Sequence, residues 1–379
     1  MDVIEVIDGG FLTTVQDLGR YGYQRYGVPV SGAADPFALR VANRLAGNSE
    51  DAAGLEFTLV GPRLRVQATT VMALAGADLS PRIDGQPAAL WEPLVAPVGA
   101  TLSFGDARDG VRGYLAVHGG ISVPKVLGSR STYVRSRLGG FDGRPLQAGD
   151  RLPVPGERPA SHIEARRCPH GDIPRYGHTH VLRVVLGPQD SAFTENGIRT
   201  FLSSTYVVSG QSDRIGYRLQ GPVIEHATSP DIVSDGIPYG AVQVAGDGMP
   251  IVLLVDRGTT GGYTKIATVI SVDLPRLAQA AAGDIVAFQP VTVGEAHTLL
   301  RAQERVIGRI AESPVVRFAA ERMVATVDGE AVEVETDLAE VAGSPPATPR
   351  HPRLPRMAVR VTGEAGASVF EVEVDGPGQ

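Results

Sequence analysis

One lysine closes the densest polar motif of this chain, Asp256-Arg257-Gly258-Thr259-Thr260-Gly261-Gly262-Tyr263-Thr264-Lys265. The sequence has 379 residues and 35 basic side chains, and only Lys125 and Lys265 are lysines. An ammonium is a compact point charge with three rotatable donors, which a planar guanidinium does not reproduce. Such a group binds an anion or meets charge as it develops on an oxygen. Three nearby segments supply companions: Ser209–Arg218, Ser234-Asp235-Gly236 and Gln243. If their strands share a barrel, Arg214, Arg218, Asp235, Gln243, Asp256 and Lys265 converge. Thr260, Gly261, Gly262 and Tyr263 then line a substrate site. A structural ion-pair network among barrel strands accounts for the same residues.

Two further glycine-rich segments lie in the first half. Thr14–Arg20 and Gly27–Asp35 carry Gln16, Asp17, Arg20 and Ser31 between glycines that let backbone approach a ligand. Gly119-Gly120-Ile121 with Gly128-Ser129-Arg130-Ser131-Thr132 sets Arg130 beside three hydroxyls, Ser131 among them, a set suited to a carboxylate or phosphate. Tight turns with solvated polar residues are the alternative for both. Lys125 reads as a solvated lysine.

Several chemistries are excluded or disfavoured. There is no Gly-x-x-x-x-Gly-Lys-Ser/Thr phosphate loop and no Gly-x-Ser-x-Gly nucleophile turn. Neither lysine has the flanking methionines of a biotinylation site, so no covalent biotin is expected on this chain. Cys168 is the sole cysteine, and its spacing to His170, His178 and His180 fits no standard metal set. A net charge of -7 argues against nucleic acid or an anionic membrane as partner. The first residues lack a basic, then apolar leader, and no apolar run is long enough to span a bilayer. A soluble, cytoplasmic protein is expected.

The elements that must position these residues are mostly strands. Over 1–155, short apolar runs bounded by Gly, Pro or Asp predict a β-rich unit around one helix, Pro36–Leu45, capped by Asp35 and stopped by Gly47. Residues 156–179 read as a linker. Over 180–312 strands recur, with helices at Thr194–Leu202, at about Leu274–Ala281 capped by Asp273, and from a Thr292/Glu295 capping box to about Ile310, where Leu299, Leu300, Gln303, Val306, Ile307 and Ile310 make a mostly apolar stripe. In the extension 313–379, Asp328-Gly329 and Val359–Val374 signal hairpins around a proline-rich stretch, 343–355. The fold class is mainly β, in two β-rich units with a few short helices.

In this order, Thr14–Arg20, Gly27–Asp35 with Ala42-Asn43-Arg44-Leu45, Gly54-Leu55-Glu56, Gly119–Thr132, Ser212-Asp213-Arg214, Ser234–Pro238 and Asp256–Lys265 resemble the KipA or allophanate-hydrolase-subunit-2 family. That family is also called biotin-dependent carboxyltransferase-like, or the 5-oxoprolinase C subunit. The chain departs from its usual pattern at Gly258, Thr264 and Ala34, where Gln, Pro and Met are common. The resemblance implies that the second unit is a cyclophilin-like barrel. It implies two partners, one KipI-like and one LamB/YcsF-like, with which such chains open 5-oxoproline to L-glutamate using ATP, with magnesium. Relatives fused in urea carboxylase move a carboxyl group from carboxybiotin to urea, and another acts on a KipI-like kinase inhibitor. On this reading Lys265 and Arg214 bind the anionic group or phosphate. Asp235 and Asp256 orient them or hold a metal that comes with ATP. Gln16, Asp17 and Arg20 form the opposite wall, near the KipI-like partner.

Overall fold

The computed structural model describes residues 2–155 and 165–316, and four later strands. The first half is a sandwich of two sheets. Its strands are β1 (Asp2–Asp8), β2 (Leu12–Gln16), β3 (Gly54–Thr58), β4 (Arg63–Val66), β5 (Thr70–Asp78), β6 (Arg82–Ile83), β7 (Gln86–Pro87), β8 (Pro93–Ala96), β9 (Thr101–Ser103), β10 (Asp109–Val117) and β11 (Arg151–Pro153). One sheet runs β11-β1-β4-β9-β6-β7, the other β2-β3-β10-β5-β8. Period-two alternation separates the two faces of the second sheet. Met72, Leu74, Leu115 and Val117 point into the sandwich, while Ala73, Ala75, Tyr114 and Ala116 point outward to helix α1 (Pro36–Leu45).

Helix α1 begins as its sequence dictates. The Asp35 carboxylate accepts from Ala38 N at 2.9 Å, and Pro36 fills a first-turn position that needs no donor. Gly47 follows in the left-handed region at φ 74°, and its N–H closes on Arg44 O. Phe37, Val41 and Leu45 are buried as the i, i+4, i+8 pattern requires.

The second half is a closed barrel. Its strands are β12 (Thr179–Leu186), β13 (Thr205–Val208), β14 (Gly216–Gln220), β15 (Asp231–Gly236), β16 (Ala241–Val244), β17 (Pro250–Leu253), β18 (Thr260–Val269) and β19 (Ile285–Pro290). Seven of them pair in the order β12-β19-β13-β14-β17-β16-β18, and β18 closes on β12. Closure removes the open edges. Strand β15 adds to β18 outside the ring. Helices α2 (Glu195–Ser203) and α3 (Leu274–Ala278) accompany the barrel, and α4 (Val293–Glu312) runs for 20 residues. Thr194 caps α2 through Gly197 N, and the Thr292/Glu295 capping box opens α4.

Three local expectations change. Asp273 stands before α3 but makes no side-chain cap; its carboxylate takes the Arg183 guanidinium at 2.5 and 2.8 Å instead. An arginine fork offers two charge-assisted bonds where a cap offers one. On α4 only Ile307 and Ile310 of the apolar stripe are buried, against α1, and Leu300 is exposed. The helix outruns the surface it packs on. Within the segment read as a linker, Ala165, Cys168 and Tyr176 are buried, and Ala165 pairs with Val316. Residues 156–164 and the proline-rich 343–355 lie outside the described residues. In the extension, β20 (Phe318–Val327) pairs antiparallel with β21 (Glu330–Ala339), and β22 (Met357–Gly363) with β23 (Gly366–Val372).

Candidate active site

The two halves meet through buried charge. The β14–β17 ladder continues past its strands, with Leu254 N on Ile215 O and Asp256 N on Arg214 O, so Arg214 and Asp256 lie side by side. The Arg214 Nε and Nη2 donate to the two Asp256 oxygens at 2.8 and 3.1 Å. Its Nη1 donates to Glu56 on β3, and Nη2 also reaches Gly32 O at 2.7 Å. Glu56 further accepts from Ala34 N and Tyr114 Oη, each at 2.8 Å. Burial pushes the Glu56 carboxyl up, but the Arg214 and Arg112 charges outweigh this and hold it below its ordinary value. All three Arg214 nitrogens are spent, so it ties the barrel to the sandwich. Arg112 does the same through Tyr217 Oη and Ala278 O.

Lys265 lies elsewhere, on β18 opposite Gln243 of β16. Its side chain is 1% exposed, and Nζ donates to Asp235 Oδ2 at 3.0 Å. Asp235 is 56% exposed, at the end of β15. This bond, with that from Gly236 N, holds the Asp235 carboxyl below its ordinary value. Lys265 N also donates to Gln189 Oε1 at 3.1 Å. Gly261 allows the close packing here: a Cβ on it would meet Ile237 Cδ1 at 2.7 Å and Gln243 Nε2 at 3.1 Å. The ammonium is thus shielded from solvent while its carboxylate partner is exposed. Thr260 and Tyr263 are exposed, and Gly261 and Gly262 half-buried, on the same strand.

The first-half residues form a third group. The Asp17 carboxylate accepts from Ser129 Oγ at 2.7 Å, Arg130 N at 2.6 Å, Gly19 N at 2.8 Å and Ser131 Oγ. Gln16 Nε2 donates to Thr132 O, and Ser31 Oγ to the same carbonyl. Arg20 is buried, with Nη2 on Ser131 O while Nε and Nη1 have no partner among the described residues. The Arg130 side chain donates Nε to Val123 O. Gln16, Asp17, Arg20, Ser31, Arg130 and Ser131 thus knit the 16–32 and 129–132 segments to each other. Lys265–Asp235–Gln243 and Arg214–Asp256–Glu56 are two separate clusters.

A cavity of about 380 Å³ opens between segment 24–30 and the barrel turns 236–238 and 257–259. It is lined by Gln24, Pro29, Val30, Gly236, Ile237, Pro238, Arg257, Gly258 and Thr259. Sequence reasoning does not single out Arg257 or Glu56 as site residues. Arg257 stands inside the Asp256–Lys265 motif, and Glu56 inside Gly54-Leu55-Glu56. The available signal for each is a charge close to glycine in an apolar setting.

Sandwich, closed seven-strand barrel and buried charge at their junction define a two-lobed domain with a polar turn cluster at the barrel end. The chain belongs to the family described as carboxyltransferase domain, subdomain A and B, whose model matches residues 26–290. It is similar to the 5-oxoprolinase C subunit of Escherichia coli K12, 37% identical over 82% of this chain and 98% of that protein. The 5-oxoprolinase C subunit of Haemophilus influenzae is 35% identical over 81% and 97%. Among solved structures it is similar to the urea amidolyase of K. lactis, with TM-score 0.78 and 30% identity over 89% of this chain and 22% of that one.

Proposed function

We propose that this chain is the C subunit of a 5-oxoprolinase, a hydrolase complex that opens 5-oxoproline to L-glutamate. Coverage carries the reading. The match to two 5-oxoprolinase C subunits runs over 98% and 97% of their length, while the urea amidolyase match spans 22% of that protein. Attack on a lactam places charge on its carbonyl oxygen, and a dry, fixed cation is the group that meets it. Lys265 is assigned that role, with Asp235 holding it in place. Arg214 and Asp256 act as positioning residues, since their polar atoms are bonded to each other and to Glu56.

ATP is proposed as co-substrate of the complex, with a KipI-like and a LamB/YcsF-like protein as partners. The donor set here does not fit the magnesium of ATP. Asp256 gives both oxygens to Arg214, Asp235 gives one to Lys265, and no group of three or more acidic, His or Cys side chains gathers among the described residues. No step is therefore assigned to a metal on this chain. No helix of the described residues is long and apolar enough to cross a membrane, and a cytoplasmic complex is proposed.

The test is co-expression with the two partners, measuring glutamate and ADP formed from 5-oxoproline and ATP while each of the three proteins is omitted in turn. Turnover that requires this chain is expected; full turnover without it refutes the reading. A second reading, carboxyl transfer from carboxybiotin to urea, is supported by the likeness to urea amidolyase. Urea-dependent loss of carboxybiotin in the absence of oxoprolinase activity would establish it instead.

A further inference from the structure

We propose that the cavity between segment 24–30 and the turns 236–238 and 257–259 is a carboxylate subsite, with Arg257 as its anion-binding residue and Gly258 setting its width. The ligand class is a small, compact monocarboxylate carrying a lactam ring or a short chain. This rests on the oxoprolinase reading only for its natural occupant, 5-oxoproline.

The contrast with Arg214 carries the argument. Both guanidiniums are buried, Arg257 at 8% and Arg214 at 7% exposure. Arg214 has two carboxylates; Arg257 has none within ion-pair distance among the described residues. Arg257 donates Nε to Ile237 O at 2.9 Å and Nη1 to Leu254 O at 3.1 Å, and its guanidinium stands 5.4 Å from the Tyr239 ring centre. These neutral partners fix the plane of the fork without cancelling its charge. Nη2 has no hydrogen-bond partner among the described residues. Burial lowers the Arg257 pKa, opposed only by Tyr239 and Tyr21. A buried, uncompensated cation is costly, and an incoming carboxylate removes that cost.

The cavity fits such a ligand. Among the described residues no acidic side chain lines it, so none of them competes in its wall for Arg257. Pro29, Val30, Ile237 and Pro238 give an apolar wall, and Gln24 and Thr259 offer hydrogen bonds for an amide. About 380 Å³ lies in the range of small-molecule sites, roughly 300–1,000 Å³. Gly258 is exposed on its rim, and a Cβ there would meet only Thr260 O, at 3.3 Å. Packing does not demand glycine at this position, so a side chain here would narrow the mouth.

The experiment is calorimetric titration of the full chain with 5-oxoproline, with pyrrolidin-2-one (the same ring without the carboxylate) and with acyclic monocarboxylates such as butyrate. Wild type is expected to prefer 5-oxoproline over pyrrolidin-2-one by about tenfold to a hundredfold, the range of one hydrogen bond to a charged group. Arg257→Met should erase that preference. Because Arg257 also holds two carbonyls, Gly258→Glu is the second variant: its carboxylate should occupy the fork and weaken carboxylate binding at least tenfold with an unchanged melting temperature. Failure of any small carboxylate to bind at millimolar concentration overturns the proposal, as does a preference that survives Arg257→Met. Arg257-dependent binding of butyrate without binding of 5-oxoproline keeps the subsite and removes the oxoprolinase reading. Oxoprolinase turnover with an unchanged KM in Arg257→Met keeps that reading and removes the subsite.

Discussion

Glu56→Gln should loosen the junction between sandwich and barrel by about 3 kcal/mol. Three donors converge on this carboxylate: Ala34 N and Tyr114 Oη on one oxygen, Arg214 on the other. An amide keeps one acceptor for the first pair and turns an N–H toward Arg214. Removing one partner of a buried ion pair costs about 3–5 kcal/mol, because the other charge remains buried. Arg214 retains Asp256 at 2.8 Å, which sets the loss near the lower end, about 3 kcal/mol. Two controls scale it. Tyr114→Phe removes one hydrogen bond to the carboxylate, worth about 1.5–3 kcal/mol, and also strips Asp35 N of its acceptor, so its cost should lie at or above the top of that range. Arg309→Ala breaks a pair with Asp172 in which the arginine is 55% exposed, and should cost under about 1 kcal/mol. The assay is urea unfolding read by two probes. The sole tryptophan, Trp91, is buried in the first half and reports that half, while far-ultraviolet circular dichroism reports both. Coincident wild-type transitions should separate in Glu56→Gln. The Glu56 pKa is depressed in the folded state, so its contribution is complete above the unfolded value and fades as pH falls through the folded one. The gap between wild type and Glu56→Gln should therefore close in acid. A loss no larger than that of Arg309→Ala, with coincident transitions, would refute the clamp.

Lys265→Met should abolish turnover of the reconstituted complex while its melting temperature stays within a few degrees; normal turnover would remove Lys265 from the mechanism. Asp35 is fully buried and pushed up to about 6, chiefly by burial, against bonds from Gln279, Ala38 and Tyr176. A carboxylate raised in the folded state binds its proton more tightly there, so its effect on stability improves as pH falls from above 6 toward 3.8. That shift from 3.8 is worth roughly 3 kcal/mol, and Asp35→Asn should flatten the stability slope between pH 7.5 and 5, measured by thermal unfolding. Thr292→Ala removes the capping box of α4 and should cost about 1 kcal/mol by urea unfolding.

Much of the local structure is legible in the chain. Asp35-Pro36 and Gly47 bracket α1, and Thr292 with Glu295 opens α4, because caps are decided by residues within one turn of each other. Short apolar runs foretell the strands β5 and β10, and the rarity of lysine marks Lys265. The Asp273 cap misleads, since a carboxylate that suits a helix start also suits Arg183, 90 residues away. What tertiary structure alone decides is which charges are already satisfied. Sequence reasoning selects Arg214 and passes over Arg257, though each neighbours Asp256, the first in space and the second in sequence. Glu56, 158 residues before Arg214, neutralises one and not the other. Strand periodicity says which face a side chain takes, but not which charge the opposite lobe brings to it. That choice is made only when the sandwich and the barrel close on each other, and it separates the arginine that holds the fold from the one left facing a cavity.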